Sequence, residues 1–405
     1  MNILFICDEY PPGLNGGIGS ITQSLARELI QQGHQVFVVG LYSYEYGELD
    51  YEEDNGVRIW RLRYGFKLSR FRKLYRIQRK LPGFLKRWCY AITDFDKFVA
   101  FVEQIIDEYK IDIVEQPDWN TFAYLIGLKR PILPKLKVPL VIKAHGSHTY
   151  FCQELNKKTK RNWANIDVQI FERADATAFV SMHCQNVNKQ LFGEAKQAIV
   201  LYNGLDLVNT IPTSIRQSNL VFYSGTLVKK KGIYSLMEAW NQLVQQKPNT
   251  QLIVFGKGSI KSAQKKLSQE AIQSVTFYGH RPKTELIEYL NLATVAIFPS
   301  YSETFGLGAV EAMSVACPTI FTKRTCGPEI IEDGFNGLLV DPDNPTEICE
   351  KLLLLIENPT FAKKIGLQGK LKVTECYNIK TTAERHIKWY HEVISSFYQT
   401  MKNNE

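Results

Sequence analysis

The rhythm of short apolar runs separated by longer amphipathic stretches constrains this chain most. Asn2 to Cys7 reads as an apolar strand, Pro11 to Gly19 as a glycine-rich loop, and Ser20 to Gln31 as a helix with Ile21, Leu25, Ala26 and Leu29 at helical spacing. Further strands are expected at Val36 to Leu41, Ile111 to Val114, Leu140 to Ala144, Ala178 to Val180 and Ile199 to Leu201, with helical stretches between them. Strands this uniformly apolar are buried on both faces, so the rhythm predicts an α/β chain with a mostly parallel, doubly wound sheet.

At about 150 residues per domain, 405 residues leave room for two or three domains. From Asp206 to Ser218 the pattern breaks into Thr, Asn, Pro, Ser and Gln, which marks a linker or domain edge. A second α/β unit starts at Leu220 to Ser224, with strands expected at Gln251 to Phe255, Ser274 to Tyr278, Ala296 to Pro299, Thr319 to Thr322 and Gly337 to Val340. The expected division is 1–208, 209–380 and a last segment, 381–405. The aromatics Trp389, Tyr390, Phe397 and Tyr398 of that segment need an apolar surface on one domain or the other. Two such domains would present their strand carboxyl ends across a cleft, where ligands of doubly wound sheets bind.

Composition narrows the class. Lys and Arg number 49 against 41 Asp and Glu, a formal charge of +8. Twelve basic residues and no acid lie between Arg58 and Trp88, and without them the remaining chain is net acidic, so the basic character is local. Eight cysteines show neither C-x-x-C pairing nor ligand clustering and read as reduced thiols in a cytosolic compartment. The run Ile3 to Cys7 is too short for a signal peptide, and Glu311 interrupts the longest apolar stretch, Thr304 to Thr322, so no membrane span is expected.

Two patterns carry chemistry. Gly16, Gly17 and Gly19 precede a helix, where unpaired backbone amides and the helix dipole suit a diphosphate, although a glycine turn before a helix serves structure as readily. The dinucleotide fingerprint is absent, because Thr22 stands where its third glycine belongs. The richer stretch is Pro299 to Pro318, in which Glu303 and Glu311 are separated by seven residues with Gly306 and Gly308 between them. Glu303 is expected in the loop after a strand, and Thr304, Phe305 and Gly306 lead into a helix that carries Glu311 about one turn in. An acid near a helix start also serves as a capping partner. Asp94-Phe95-Asp96 and Asp341-Pro342-Asp343 repeat a common metal-binding pattern, but one falls in an expected helix and the other in a turn, and no metal site is expected.

With these residues the chain resembles the retaining glycosyltransferases of family 4, with the two-domain GT-B fold. The resemblance runs from Gly16-Gly17-Ile18 to Gly334-Phe335-Asn336-Gly337-Leu338-Leu339-Val340, and its most diagnostic element is the E-x7-E pair. It implies that Glu303 contacts hydroxyls of a donor sugar and Glu311 the ribose of its nucleotide. It also implies that Gly16 and Gly17 approach the diphosphate, that His145 in Lys143-Ala144-His145-Gly146 lies near the reacting carbon, and that Gly225, Thr226, Phe305, Gly306 and Leu307 line the donor site. Asn203-Gly204-Leu205-Asp206 and Thr325-Cys326-Gly327-Pro328-Glu329 resemble further family segments. The family usually places arginine after the glycine of the first strand of this domain; here Gly225 is followed by Thr226, and Lys231 matches the basic residue that follows. Lys229 or Lys230 compensates for Thr226 or lies on a solvated turn.

The activity implied is transfer of a hexosyl residue from a UDP- or GDP-sugar with retention and without a cofactor or catalytic metal, Lys231 and the glycine amides stabilising the leaving phosphate and Glu303 and His145 at the sugar. Within Arg70 to Leu81, apolar residues recur at helical spacing while Arg70, Arg72, Lys73, Arg76, Arg79 and Lys80 fill the remaining surface. That pattern suits a helix on an anionic membrane face or a solvated basic helix, and no nucleic-acid motif accompanies it. The favoured partners are therefore a nucleotide sugar and a saccharide or lipid-linked acceptor, with the protein cytoplasmic or peripheral on the cytoplasmic face of the membrane. An epimerase or hydrolase on the same fold, and a non-enzymatic membrane or nucleic-acid binding protein, are the competing readings.

Overall fold

A computed structural model describes residues 1–12, 16–43, 49–64, 92–119, 133–207 and 216–403. The basic stretch Arg70, Arg72, Lys73, Arg76, Arg79 and Lys80 lies outside the described residues.

The chain forms two compact units. One comprises Met1–Val180, Cys184–Gly204 and Ile379–Glu405, the other Ser181–His183 and Leu205–Asn378. The first is built on an eight-stranded sheet with strands β1 (Asn2–Ile6), β2 (Gln35–Ser43), β3 (Tyr51–Asp54), β4 (Val57–Tyr64), β5 (Ile113–Pro117), β6 (Leu140–Ala144), β7 (Ala176–Phe179) and β8 (Ile199–Val200). Their order across the sheet is β3-β4-β2-β1-β5-β6-β7-β8, and every pairing except β3 with β4 is parallel. The chain winds outward from β1 to β2, then returns to the other side of β1 with β5. The loops after β1 and β5 therefore diverge and leave a crevice at their carboxyl ends.

Strands β3 and β4 are absent from the periodicity reading. Asn55 and Gly56, with φ of 50° and 87°, close them into a hairpin, so the Asn-Gly pair was the available signal. The hairpin also changes the meaning of the first basic residues. Arg61 is 1% exposed and meets Glu52 at 2.6 Å, and Arg63 meets Asp50 at 2.7 Å. Cross-strand pairing brings acids from before the acid-free stretch beside it, which a linear charge count does not register.

The second unit contains a six-stranded, wholly parallel sheet: β9 (Leu220–Ser224), β10 (Gln251–Phe255), β11 (Val275–Gly279), β12 (Val295–Phe298), β13 (Thr319–Thr322) and β14 (Leu338–Val340), in the order β11-β10-β9-β12-β13-β14. Its switch point lies between β9 and β12. Helices Ile233–Gln246 and Pro345–Glu357 pack on one face, where Trp240 is fully buried and donates its indole N–H to Ser274 at 2.8 Å.

The last helix, Ile379–Asn403, belongs to the first unit, which decides the docking that sequence left open. Ile379, Ala383, Tyr390 and Val393 join Ile3, Phe5, Ile113 and Val141 in one apolar cluster. Gly204 makes this approach possible, since a Cβ there would lie 2.8 Å from the Ile379 Cα.

Candidate active site

In the second unit the site grows from the switch point. After β9 the chain passes Gly225 and an exposed Thr226 into a 3-10 turn, Lys229–Lys231, while after β12 it runs through Ser300 to Glu303. Gly232 holds the two loops together. Its φ is 72°, and a Cβ at that position would lie 1.8 Å from the Pro299 carbonyl oxygen. The close approach sets Lys231 Nζ 2.7 Å from Glu303 Oε1, and the Ser300 hydroxyl donates to the same oxygen at 2.8 Å. Both donors converge on Oε1, and among the described residues Oε2 has no hydrogen-bond partner.

Glu303 is followed by Gly306, whose φ of 79° admits glycine readily and whose missing Cβ would lie 2.4 Å from Phe321 Cζ. Gly306 is the cap residue of helix Leu307–Ser314 and supplies no side chain, so the amides of Leu307 and Gly308 have no acceptor among the described residues. Glu311 lies about one turn into that helix, 3.4 Å from Lys283 Nζ. Burial pushes its carboxyl above the usual range, and the Lys283 ammonium pulls in the opposite direction. Phe305 is buried, with its ring edge-on to Tyr377 at a centroid distance of 5.4 Å, so its side chain serves the core.

Lys229, close to Thr226 in sequence, lies against an aromatic ring. Its Nζ stands 5.7 Å from the Tyr301 ring centroid, with the Arg324 guanidinium 5.3 Å from the same ring. Tyr301 in turn donates to Asp343 at 2.8 Å, and its backbone N–H donates to the Lys230 carbonyl at 2.8 Å. Asp341 and Asp343, the acids of one metal-like pattern, both accept from Arg324 Nη2, at 2.7 and 2.6 Å. The other pattern, at Asp94 and Asp96, falls in helix Ile92–Glu108. Among the described residues no cluster of three or more His, Cys, Asp and Glu could hold a metal ion, and no helix is long and apolar enough to cross a membrane. Glu329 accepts from the amides of Met182 and His183 at 2.8 and 2.6 Å.

In the first unit, Gly16 and Gly17 lie where the stretch after β1 enters the first helix, and His145 follows β6. Helix Gly17–Gln31 starts at Gly17, three residues earlier than the periodicity predicts. Its amide seat is already engaged: Glu9 Oε2 accepts from Gly16 N at 3.3 Å, and a Cβ on Gly16 would lie 2.8 Å from that oxygen. Gly19 is equally constrained, since its Cβ would fall 1.9 Å from the Glu9 carbonyl oxygen. Gly16 and Gly19 thus accommodate Glu9, whose carboxyl is pushed upward by burial and by the charge of Asp8. An incoming anion at these amides competes with that carboxylate. Glu9→Gln is therefore expected to tighten binding of nucleoside diphosphate several-fold, as measured by calorimetry; weaker binding would mean that Glu9 supports the seat.

His145 follows β6 and is nearly buried. Burial, reinforced by the charge of Lys143, holds its imidazole well below the ordinary histidine range, and hence neutral. Its backbone N–H and that of Gly146 donate to the two Asp118 oxygens, at 2.8 and 3.0 Å. Asp118 is fully buried directly after β5, and desolvation pushes its carboxyl up to about 7. Sequence reasoning passed over Asp118, although an acid just past a strand at the switch point was a usable signal. No local signal pointed to Glu9, Ser300 or Lys283.

Two mostly parallel, doubly wound sheets, each with charged and glycine-rich loops at its switch point, define a two-domain α/β architecture. Residues 15–209 match the family model described as Glycosyltransferase Family 4, and residues 211–372 match that described as Glycosyl transferases group 1. The two matches abut and span all but the ends: the chain is a glycosyltransferase with the GT-B fold. An uncharacterised glycosyltransferase of Methanocaldococcus jannaschii is 24% identical over 96% of this chain and 98% of its own length. Sucrose-phosphate synthase from Thermosynechococcus elongatus superposes with a TM-score of 0.77 at 19% identity, covering 98% of this chain and 99% of that one. Anabaena HepE, solved in complex with UDP and glucose, gives 0.68 at 18% identity over 96% and 98%.

Proposed function

We propose that this glycosyltransferase moves a hexosyl residue from a UDP- or GDP-sugar to a saccharide or lipid-linked acceptor with retention of anomeric configuration. The observation that carries the reading is the Lys231–Glu303 pair at the β9/β12 switch point. In this scheme Lys231 and the Leu307 and Gly308 amides receive the diphosphate, Glu303 Oε2 takes a sugar hydroxyl, and Glu311 holds the ribose. Gly225 and Thr226 bound the phosphate side. From the first unit, the Gly16 and Gly17 amides bind phosphate once Glu9 yields, and the neutral His145 ring hydrogen-bonds the sugar near its anomeric carbon.

Departure of the diphosphate builds positive charge on the anomeric carbon and negative charge on the leaving oxygen, so fixed donors at the phosphate lower the barrier. No covalent nucleophile is assigned. The acceptor hydroxyl attacks from the face the phosphate leaves, with a phosphate oxygen taking its proton. The UDP bound by the Anabaena protein favours a uridine donor. The basic stretch containing Arg70, Arg72, Lys73, Arg76, Arg79 and Lys80 favours an acceptor presented at an anionic membrane surface.

Incubation with UDP-, GDP- and ADP-sugars, with and without membrane extract, tests the scheme. Extract-dependent nucleotide release with sugar appearing on an extract component is expected, and NMR of the product reads its anomeric configuration. Equal release without extract, or an isomerised donor, would replace transfer by hydrolysis or epimerisation.

A further inference from the structure

The first unit buries a set of titratable groups that the scheme above leaves unused. Lys143, on β6, is 2% exposed and its Nζ lies 2.9 Å from His386 Nε2 on the last helix. His386 Nδ1 lies 2.7 Å from the Thr382 carbonyl, an acceptor, so the proton is on Nδ1 and Nε2 accepts from the lysine. Beside them Tyr390 donates to Glu115 Oε2 at 2.6 Å. All four groups are buried.

Sheet geometry places this set under His145. Glu115 pairs with Val141 in the β5/β6 register, so Glu115, Val141 and Lys143 share one face of the sheet. Val141 lies with Ile113, Ile379 and Tyr390 in the cluster beneath the last helix, whereas Leu140 and Ile142 face the opposite cluster. The same alternation brings His145 next on the side of Lys143, just beyond the strand. From β7, Ala178 stands beside Lys143 and carries no charge. The titratable groups around Lys143 are therefore Glu115 from β5, His386 and Tyr390 from the helix, and His145 from its own strand; those around His145 are Lys143, His386 and, after β5, Asp118, whose Oδ1 accepts from the His145 backbone N–H at 2.8 Å.

We propose that Lys143, held by His386, is a positioning residue for His145, presenting that imidazole to the donor sugar as a neutral hydrogen-bonding group. The proposal rests on the reading that His145 meets the donor. The work is divided among the partners. His386 fixes the ammonium by accepting a hydrogen bond from it, and Glu115 balances its charge from the neighbouring strand on the same face of the sheet. Tyr390 satisfies the carboxylate, and the ammonium disfavours a second positive charge on His145. A neutral ring can donate from one nitrogen while accepting at the other, whereas a protonated ring only donates and would oppose the positive charge growing at the anomeric carbon.

The test is an NMR titration of the His145 ring in the full chain, without nucleotide, in wild type, Lys143→Met and Lys143→Arg. Wild type is expected to titrate below the ordinary histidine range, with burial as the main cause and the Lys143 charge adding to it. Lys143→Met should shift the His145 midpoint upward, and the acid limb of the kcat/KM profile should move with it in the same direction. Lys143→Arg, which keeps the charge, should restore the wild-type midpoint. Equal midpoints in wild type and Lys143→Met would overturn the proposal, as would a methionine variant whose activity falls with its acid limb unmoved. Should Lys143→Met fail to fold, the wild-type titration decides, because a ring that protonates at its ordinary pH beside Lys143 contradicts the proposal. A His145→Ala chain that transfers at the wild-type rate would instead overturn the parent reading, whatever the titration shows.

Discussion

Glu303→Gln is expected to lower kcat/KM for sugar transfer by about 10²–10³ while the protein melts within a few degrees of wild type. The two halves of this result have separate causes. Lys231 and Ser300 both donate to Oε1, so a glutamine carbonyl in the same place can keep both contacts and the loop with them. The ion pair is partly solvated, with side-chain exposures of 29% and 14%, and such pairs contribute about 1 kcal/mol or less to stability. What disappears is the charge behind Oε2. A hydrogen bond from a sugar hydroxyl to a carboxylate is roughly twice as strong as one to a neutral acceptor, and glutamine can present an N–H there instead. The loss should appear chiefly in kcat if the contact strengthens as the sugar acquires positive charge, and in KM if it serves binding alone. Steady-state kinetics beside a thermal melt checks both halves. Activity within three-fold of wild type would remove Glu303 from the chemistry.

Gly232→Ala is expected to give the largest structural effect. A left-handed residue other than glycine costs roughly 1–2 kcal/mol. At Gly232 the added Cβ would also lie 1.8 Å from the Pro299 carbonyl oxygen, which is backbone and has no rotamer to relieve the contact. The turn carrying Lys231 must then move away from the loop carrying Glu303. Destabilisation of about 3–5 kcal/mol is expected, which lowers the melting temperature by roughly 10 °C in a domain of this size, with transfer activity falling in parallel. Gly279 supplies the control, since its φ is 71° and a Cβ there meets nothing within 4 Å. Gly279→Ala should show only the backbone strain. Melting temperatures lowered equally in the two variants would exclude the steric account and leave strain alone.

Much of the local arrangement around the candidate site was legible before any fold was known, because its parts are close in sequence. The spacing of Glu303 and Glu311 spans one loop and the first turn of one helix, so their neighbourhood follows from chain geometry. Gly306 was recognisable for the same reason. The glycine loop was legible as a loop but not in its contacts: Glu9 fills the space that Gly16 and Gly19 leave, and nothing in the order of residues says that it turns back onto those amides. Phe305 is a donor-site residue by resemblance alone, and in the fold its ring is buried against Tyr377.

Sequence by itself determined the class of fold, since buried parallel strands and amphipathic helices are written in periodicity, but it missed the β3/β4 hairpin and set several strand ends two or three residues away from where they fall. Tertiary structure alone decided which distant groups meet. Lys231 reaches Glu303 across 72 residues, Lys143 reaches His386 across 243, and Arg61 finds Glu52 through a hairpin. Periodicity is set by how each residue's own backbone hydrogen bonds are satisfied. Those meetings depend on which strands become neighbours and which helix covers them, a choice made by the burial of the whole unit.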